Sequence, residues 1–259
     1  MLARQRQERI LTEVRRHGGA RVSDLVDLLG VSDMTVRRDI ETLARADLVL
    51  RVHGGATAID SRSSDEPGFA AKSVLALAEK SAIAASVAAL ISPGASIALS
   101  AGTTTYAVAQ QLVDVEDLTV VTNSPPVADL LHERPAPGRT VVLTGGTRTP
   151  SNALVGPVAV RALAELHVDT LVLGVHGFDE RAGVTTPNLV EAETNQALVA
   201  SARRVIVAAD HSKWNVVGLA AIAPLERVDI LVTDSGLPRK VRRTLAGLVG
   251  ELIVAETLP

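Results

Sequence analysis

The sequence contains no cysteine. Disulfides, thiolate zinc sites and cysteine nucleophiles are excluded together, and a reducing compartment is allowed without being required. Aromatic residues are almost absent, with Phe69, Tyr106, Phe178 and Trp214 as the whole set. The core must therefore be built from Ala, Val, Leu and Ile, and there is no row of stacking rings for a single-stranded nucleic acid. Lysine is scarce, four residues against twenty-two arginines, so a lysine in a suggestive place is not surface filler. A strongly apolar run of about twenty residues, as a membrane span needs, is also missing. The uncharged stretch 81–113 is rich in Ala, Ser, Gly and Thr and is broken at Pro93-Gly94, so it reads as helix, turn, strand and loop. Arg4, Arg6, Glu8 and Arg9 open the chain with no apolar segment behind them, so no secretory signal is expected. The expected setting is the cytoplasm, with no membrane partner.

What is present suits a folded chain. The 259 residues are 47% hydrophobic and 21% charged, enough to bury a core in one large domain or two smaller ones. Charge is divided unevenly. Residues 1–57 carry ten Arg and eight Asp/Glu, a balance of +2, and the rest carries sixteen Lys/Arg and twenty-one Asp/Glu, a balance of -5, which together make the -3 of the whole chain. An Arg-rich end on an acidic body suggests two jobs, with a polyanion as one candidate partner.

Apolar residues Ile10, Leu11 and Val14 predict a helix over 4–17, stopped by His17-Gly18-Gly19. Leu25, Val26, Leu28 and Leu29 mark a short second helix, with Ser23 as its expected N-cap and Gly30 as its end. Ser32 can cap a third helix, on which Val36, Ile40 and Leu43 fall at i, i+4, i+7 and form one buried stripe. Thr35, Arg37 and Arg38 lie off that stripe, near the helix start. A helix-turn-helix over about 20–39 has this form: one helix braces, and the next presents its first turns to base edges in the major groove. Arginine suits guanine edges and phosphates because its donors form a planar fork, and Ser and Thr hydroxyls suit phosphates or bases. The competing reading is a solvated face, with Arg37-Arg38 paired to Asp39 or Glu41; the short helix, Gly turn and capped start weigh against it. Residues 47–57 alternate into a Gly-Gly turn, as in a β-wing bearing Arg51 and His53.

At this point the run from Arg6 through Ile10, then "VSDMTVRRDIETLARADLVLRVHGGA", resembles the signature of the DeoR family of bacterial transcriptional regulators. The resemblance implies a winged helix-turn-helix that binds double-stranded operator DNA through Ser32, Thr35, Arg37, Arg38, Arg51 and His53.

Residues 58–72 mix Ser, Asp, Pro and Gly and read as a linker, leaving 73–259 as a second domain. A helix is expected from about Ser73 to Ile91. Apolar runs then alternate with helical patterns: Ile97–Leu99, Thr119–Thr122, Thr140–Thr144, Thr170–Leu173, Val205–Ala208, Ile230–Val232 and Leu252–Val254. The pattern predicts an α/β domain with a mostly parallel sheet and helices on both faces. Ligands of such sheets bind at the carboxyl ends of the strands. There stand Ser100-Ala101-Gly102-Thr103-Thr104-Thr105, Thr122-Asn123-Ser124, Gly145-Gly146 with Arg148 nearby, Gly174-Val175-His176-Gly177 and Asp210-His211-Ser212-Lys213. Glycine lets backbone approach an anion, and the amides and hydroxyls of a following helix start can hold phosphate. No Lys follows Gly102 as in a Walker A loop, so nucleotide hydrolysis has no support. A Thr-capped helix is the plainer alternative for this loop alone; five polar strand ends in one sheet favour a shared pocket.

The motifs "AGTTT", "VTNS", "LTGG", "LVGP", "GVTTPNLVEAE" and "AADHSK" resemble the effector domain of the same family, similar in fold to ribose-5-phosphate isomerase. The resemblance implies a phosphorylated sugar effector, with Gly102, Thr103, Thr104, Thr105 and Lys213 at its phosphate. Ser100, Asn123, Gly146, His176, Glu193 and Asp210 are the sugar-facing candidates. Family members often carry Asp where this chain has Ser100, and read G-A-D-G-I where it has Gly174-Val175-His176-Gly177-Phe178. Both departures remove a carboxylate, the kind of group an aldose–ketose isomerase uses to move protons. His176 can contact an effector, hydrogen-bond a turn or, least favoured, bind a metal. Glu191 and Glu193 fit a solvated helix face as well as a site. The expected function is a ligand-responsive repressor of carbohydrate genes, acting as a homodimer or homotetramer, with no cofactor, metal or catalysis. The alternatives are a sugar-phosphate isomerase or deaminase with a DNA-binding appendage and, more remotely, an architectural DNA protein.

Overall fold

A computed structural model describes residues 2–17, 19–46, 48–52, 54–57, 68–73 and 75–256. The chain divides into two compact units, Met1–Arg62 with Ala70–Leu75, and Ser63–Phe69 with Ala76–Pro259. Residues 58–67, most of the expected linker, lie outside the described residues.

The first unit contains α1 (Ala3–His17), β1 (Gly19–Arg21), α2 (Val22–Leu29), α3 (Asp33–Arg45), β2 (Leu50–Val52) and β3 (Gly55–Thr57). Ile10, Leu11 and Val14 of α1, Leu25 and Leu29 of α2, and Val36, Ile40 and Leu43 of α3 close into one apolar cluster. Each set repeats at helical spacing, so each helix buries one apolar stripe. Gly30 ends α2 in the left-handed region (φ 63°), with its N–H on the Val26 carbonyl. Ser32 caps α3 by accepting from the Thr35 N–H. Ser23 is not the cap of α2. The helix begins two residues earlier than that cap implies, after Arg21, and the Ser23 hydroxyl donates to Asp24. The strands pair antiparallel in the order β1-β3-β2, and β2 and β3 form the wing.

The chain continues with α4 (Phe69–Ser73) and α5 (Leu77–Ala88). The expected helix from Ser73 is thus a short turn of helix followed by a separate one, with Ala76 in the left-handed region between them (φ 48°). The second unit then runs β4 (Ser96–Leu99), α6 (Thr103–Gln111), β5 (Thr119–Thr122), α7 (Pro125–Glu133), β6 (Thr140–Leu143), β7 (Thr147–Arg148), β8 (Leu154–Val155), α8 (Pro157–Ala164) and β9 (Val168–Gly174). After it come β10 (Gly177–Asp179), β11 (Gly183–Thr186), α9 (Leu189–Ser201), β12 (Ala202–Ala208), β13 (Ala220–Ala223), β14 (Ile230–Asp234), α10 (Arg239–Leu245) and β15 (Glu251–Ala255). All seven expected strands are present and form one parallel sheet in the order β15-β14-β12-β9-β4-β5-β6.

Alternation sorts the side chains of this sheet. Leu171 and Leu173 of β9 join Val205 and Val207 against α8, α9 and α10. Val172 and Ile206 face the other way, with Ile97 and Leu99, onto α5, α6 and α7. Buried on both faces, these strands read as apolar runs rather than alternations. Two smaller antiparallel pieces accompany the sheet, β10-β11-β13 and the pair β7-β8. Phe178 of β10 is fully buried, with its ring 5.5 Å from that of Trp214. Among the described residues no helix is long and apolar enough to cross a membrane.

Strand order places the site. Successive strands run outward from β4 to β6 on one side, and from β9 to β15 on the other. Between β4 and β9 the order reverses, and ligands of open α/β sheets bind at the carboxyl ends of the strands at such a point.

Candidate functional site

In the first unit, α3 presents a polar face at its start. Ser32, Asp33 and Met34 are exposed there, and Met34 is 76% accessible. The Arg37 guanidinium is held by Asp33 through two bonds, Nε to Oδ1 at 2.5 Å and Nη2 to Oδ2 at 3.2 Å. That bond and the Asp33 charge push the Arg37 pKa above its ordinary value. Arg38 is exposed and has no ion pair among the described residues. Asp39 turns inward: it is buried and accepts from Arg6 Nε at 2.8 Å and Gln7 Nε2 at 3.0 Å, tying α3 to α1. Glu41 pairs with Arg45 instead. Both arginines lie on a solvated face, but the partners differ from those expected: Arg37 pairs with Asp33, and neither arginine pairs with Asp39 or Glu41 among the described residues. Arg51 is exposed on β2 and lines a shallow depression with Arg37, Val52 and Gly54. His53 lies outside the described residues.

In the second unit, the end of β4 meets the end of β9 across the switch point. The Ser100 hydroxyl, buried, accepts the Gly174 N–H at 2.9 Å. Gly102 follows in the region that favours glycine (φ 154°) and precedes α6 with no side-chain cap. The first N–H groups of a helix have no partner within it, so this end is open to an acceptor and carries the positive end of the helix dipole. Thr103 is half-buried beside it. Thr105 is fully buried, and its hydroxyl donates to the Gly102 carbonyl at 3.0 Å, so it shapes the loop from behind. Thr104 is also buried.

Asn123, after β5, is a brace. Its Oδ1 accepts the Ala101 N–H at 2.8 Å and its Nδ2 donates to the Leu154 carbonyl at 3.2 Å. One buried amide thus joins three segments, a sign that its orientation is set by the protein. Gly146 (φ 122°) packs so tightly that a Cβ would lie 2.5 Å from the Val155 carbonyl oxygen, a backbone reason for glycine. Arg148 donates to Asn152. His176 is half-buried in the turn between β9 and β10.

The next strand end carries more charge. Asp210, buried at the end of β12, accepts the N–H of Ser212 at 3.0 Å and also its hydroxyl, capping a 3-10 turn over His211–Lys213. Lys213 is half-buried at the end of that turn and has no ion pair among the described residues. Asp234, buried at the end of β14, accepts from the His211 N–H at 2.7 Å, bonds His211 Nδ1 at 2.8 Å and accepts the Gly236 N–H at 2.8 Å. The hydrogen bond to Asp234 pushes the His211 pKa up, against burial. Burial raises the Asp234 carboxyl, but the hydrogen bonds and charge of His211 together with the Gly236 N–H hold it below the usual range.

On α9 the helix phase selects one acid. Asn188 caps the helix. Glu191, in the first turn, is buried and accepts from the Thr149 hydroxyl at 2.6 Å and the Thr186 hydroxyl at 3.4 Å. Glu193 is exposed, about 200° further round the helix. The inward acid is therefore Glu191, while Glu193, the acid named above as sugar-facing, stays on the exposed face. Glu191, His211 and Asp234 are the groups sequence reasoning passed over or left undecided. Lys80, buried in the first turn of α5, is another. Its rarity as a lysine within an otherwise uncharged helix face was the available signal. No three His, Asp or Glu side chains gather as a metal site among the described residues.

A helix-turn-helix with a wing, followed by a parallel α/β domain with an uncapped helix start at its switch point, defines a DNA-binding transcription regulator. The DeoR-like helix-turn-helix domain matches residues 6–62, and the DeoR C-terminal sensor domain matches residues 76–235. The chain belongs to the DeoR family. It is 34% identical over 247 residues to the transcriptional repressor AccR of Agrobacterium fabrum, covering 92% of this chain and 95% of that one. It is 36% identical over 246 residues to the HTH-type transcriptional regulator GlpR of Haloferax volcanii, covering 95% of each. A ribose 5-phosphate isomerase from Plasmodium falciparum overlays 55% of this chain and 54% of its own at a TM-score of 0.39 and 14% identity, a distance at which no residue role transfers.

Proposed function

We propose that this regulator is a repressor of carbohydrate-metabolism genes whose grip on operator DNA is released by a phosphorylated sugar. The observation that carries the reading is the uncapped start of α6 behind Gly102, at the switch point of the sheet and in the same row of strand ends as Lys213. An anion there gains backbone N–H donors, a helix dipole and a lysine. Gly102, Thr103 and Lys213 serve the phosphate. Ser100, Asn123, Thr104 and Thr105 hold the loop ready, and His176 and Glu191 flank the sugar. Asp210, Asp234 and Glu191 each already receive hydrogen bonds from protein donors, which suits fixed walls better than a proton shuttle.

At the other end, Ser32, Thr35, Arg37, Arg38 and Arg51 face the duplex. Two copies of the chain set two such faces on spaced half-sites. The effector acts through a difference in affinity between DNA-competent and incompetent arrangements. The test is a thermal-shift screen of phosphorylated sugars beside their unphosphorylated parents, because a ligand of the folded state must raise stability. A hit confined to phosphorylated compounds, which then releases DNA in a gel shift, is the expected result. Equal response to parent sugars, or none to either, refutes the reading.

A further inference from the structure

The fifth strand end holds a group that the reading above does not use. His211 is fixed from two sides by β14: Asp234 Oδ2 takes its backbone N–H and Oδ1 meets its Nδ1. Gly236 closes the same side, since a Cβ there would lie 2.5 Å from Nδ1 and 2.7 Å from Cγ of the ring. Yet the side chain is 37% exposed. Nδ1 is engaged by Asp234, which leaves Nε2 as the ring nitrogen available to a ligand. In sheet order β12 lies between β14 and β9. A ring whose Nδ1 meets Asp234 turns its other nitrogen, Nε2, away from that carboxylate. His211 and Lys213 share one 3-10 turn, which Asp210 pins at its start.

We propose that His211, clamped by Asp234, is a further effector-binding residue, presenting an Nε2–H donor to the same anionic group that Lys213 serves. The inference rests on the reading of this site as an anion pocket and adds a second cation to it. A doubly charged phosphoryl group is matched poorly by one flexible ammonium, and a fixed imidazolium two residues away supplies both charge and direction. The carboxylate behind a histidine ring fixes which nitrogen carries the proton and how the ring is turned. The charged groups around His211 are Asp234 on β14, Asp210 and Lys213 in its own turn, and Glu79 on α5. Arg242 of α10 bonds the Ser235 carbonyl in the loop beside it. The hydrogen bond to Asp234 and the surrounding carboxylates favour the charged ring.

The test uses the full chain and inorganic sulfate, a dianion throughout the neutral range, so that any pH dependence belongs to the protein. Sulfate affinity is measured by calorimetry from pH 6 to 9 for the wild type, His211→Gln and Lys213→Ala. The wild type is expected to bind more weakly as pH rises. His211→Gln is expected to lose about tenfold at pH 6 and to show a flat profile, while Lys213→Ala weakens binding at every pH and keeps the slope. Should His211→Gln not fold, Asp234→Asn keeps the ring and is expected to move the midpoint of the pH profile downward. A wild-type slope retained in His211→Gln, or an unmoved midpoint in Asp234→Asn, with Lys213→Ala still weakened, overturns this inference alone. Absence of sulfate binding in the wild type overturns it together with the anion-pocket reading.

Discussion

Two adjacent residues of α3 are expected to fail in opposite ways when replaced. Arg38 is exposed and makes no ion pair among the described residues, whereas Asp39 is buried and holds Arg6 and Gln7 of α1. Arg38→Ala removes no internal contact and substitutes a better helix former, so folding is unaffected. If the guanidinium makes a bidentate contact to a base, its loss is worth about 1–3 kcal/mol, or about 5- to 150-fold in operator affinity. Asp39→Ala removes the buried carboxylate that bonds both Arg6, whose side chain is 14% exposed, and Gln7. Breaking such a pair costs about 3 kcal/mol, which in a unit of this size lowers the melting temperature on the order of 10–20 °C. The operator fragment is obtained by repeated selection from random duplexes, and affinity is read by fluorescence anisotropy alongside a thermal melt. Arg38→Ala should lose affinity with an unchanged melt, and Asp39→Ala should lose the melt first. Unchanged affinity in Arg38→Ala, or an Asp39→Ala protein as stable as wild type, refutes the placing of α3.

Ser100→Ala leaves the Gly174 N–H without its acceptor and should cost about 1–3 kcal/mol in chemical denaturation, while Ser100→Thr keeps most of it; an Ala variant of full stability counts against the brace. Glu191→Gln should reduce the response to a sugar-phosphate hit, and Glu193→Gln should leave it alone; the reverse order of effects contradicts the assigned helix phase. The His211–Asp234 pair should stabilise the fold only inside a pH window. The raised His211 value gives stability that is full below the ordinary histidine range and lost as pH rises through the folded value; the lowered Asp234 value gives stability present above the ordinary carboxylate range and lost as pH falls. The melting difference between wild type and Asp234→Asn should therefore peak between these limits, and a constant difference speaks against the pair.

The sheet was legible because buried parallel strands are apolar runs. Each of the seven, from Ile97 to Val254, was found; one to three residues are added at seven of the fourteen ends, where pairing outlasts apolarity, and β6 stops one residue short, at Leu143. The strands β10, β11 and β13 were not expected. They are three or four residues long, rich in Gly, Thr and Ala, and exist because they pair with one another. Likewise Ser32 was recognisable as a cap, but Ser23 was not distinguishable from one until Arg21 had joined β1 and moved the helix start. The site divides along the same line. Gly102 and Lys213 carry local signals, a glycine before a helix and a rare residue type. Asn123 and His211 owe their roles to partners distant in sequence, Leu154 in one case and Asp234 in the other. Local spacing contains no information about such pairs.

That division bears on how a ligand is sensed. The buried polar groups of the second unit answer one another: Ser100 takes Gly174, Asn123 takes Ala101 and Leu154, and Asp210 takes Ser212. A loop braced in this way is already ordered, so an anion reaching Gly102 does not meet the entropy cost of organising it. Binding energy is then free to act on groups that are still half-exposed, Thr103, His176, His211 and Lys213. A regulatory ligand needs that arrangement, because it can shift an equilibrium only by the difference between its contacts in the two states. Contacts to a rigid loop are the same in both and supply affinity. Contacts to the half-exposed residues can differ, so they are where substitutions should separate binding from response. Lys213 and His211 lie in one 3-10 turn pinned at its start by Asp210, which makes that turn the part of the site best placed to report the anion.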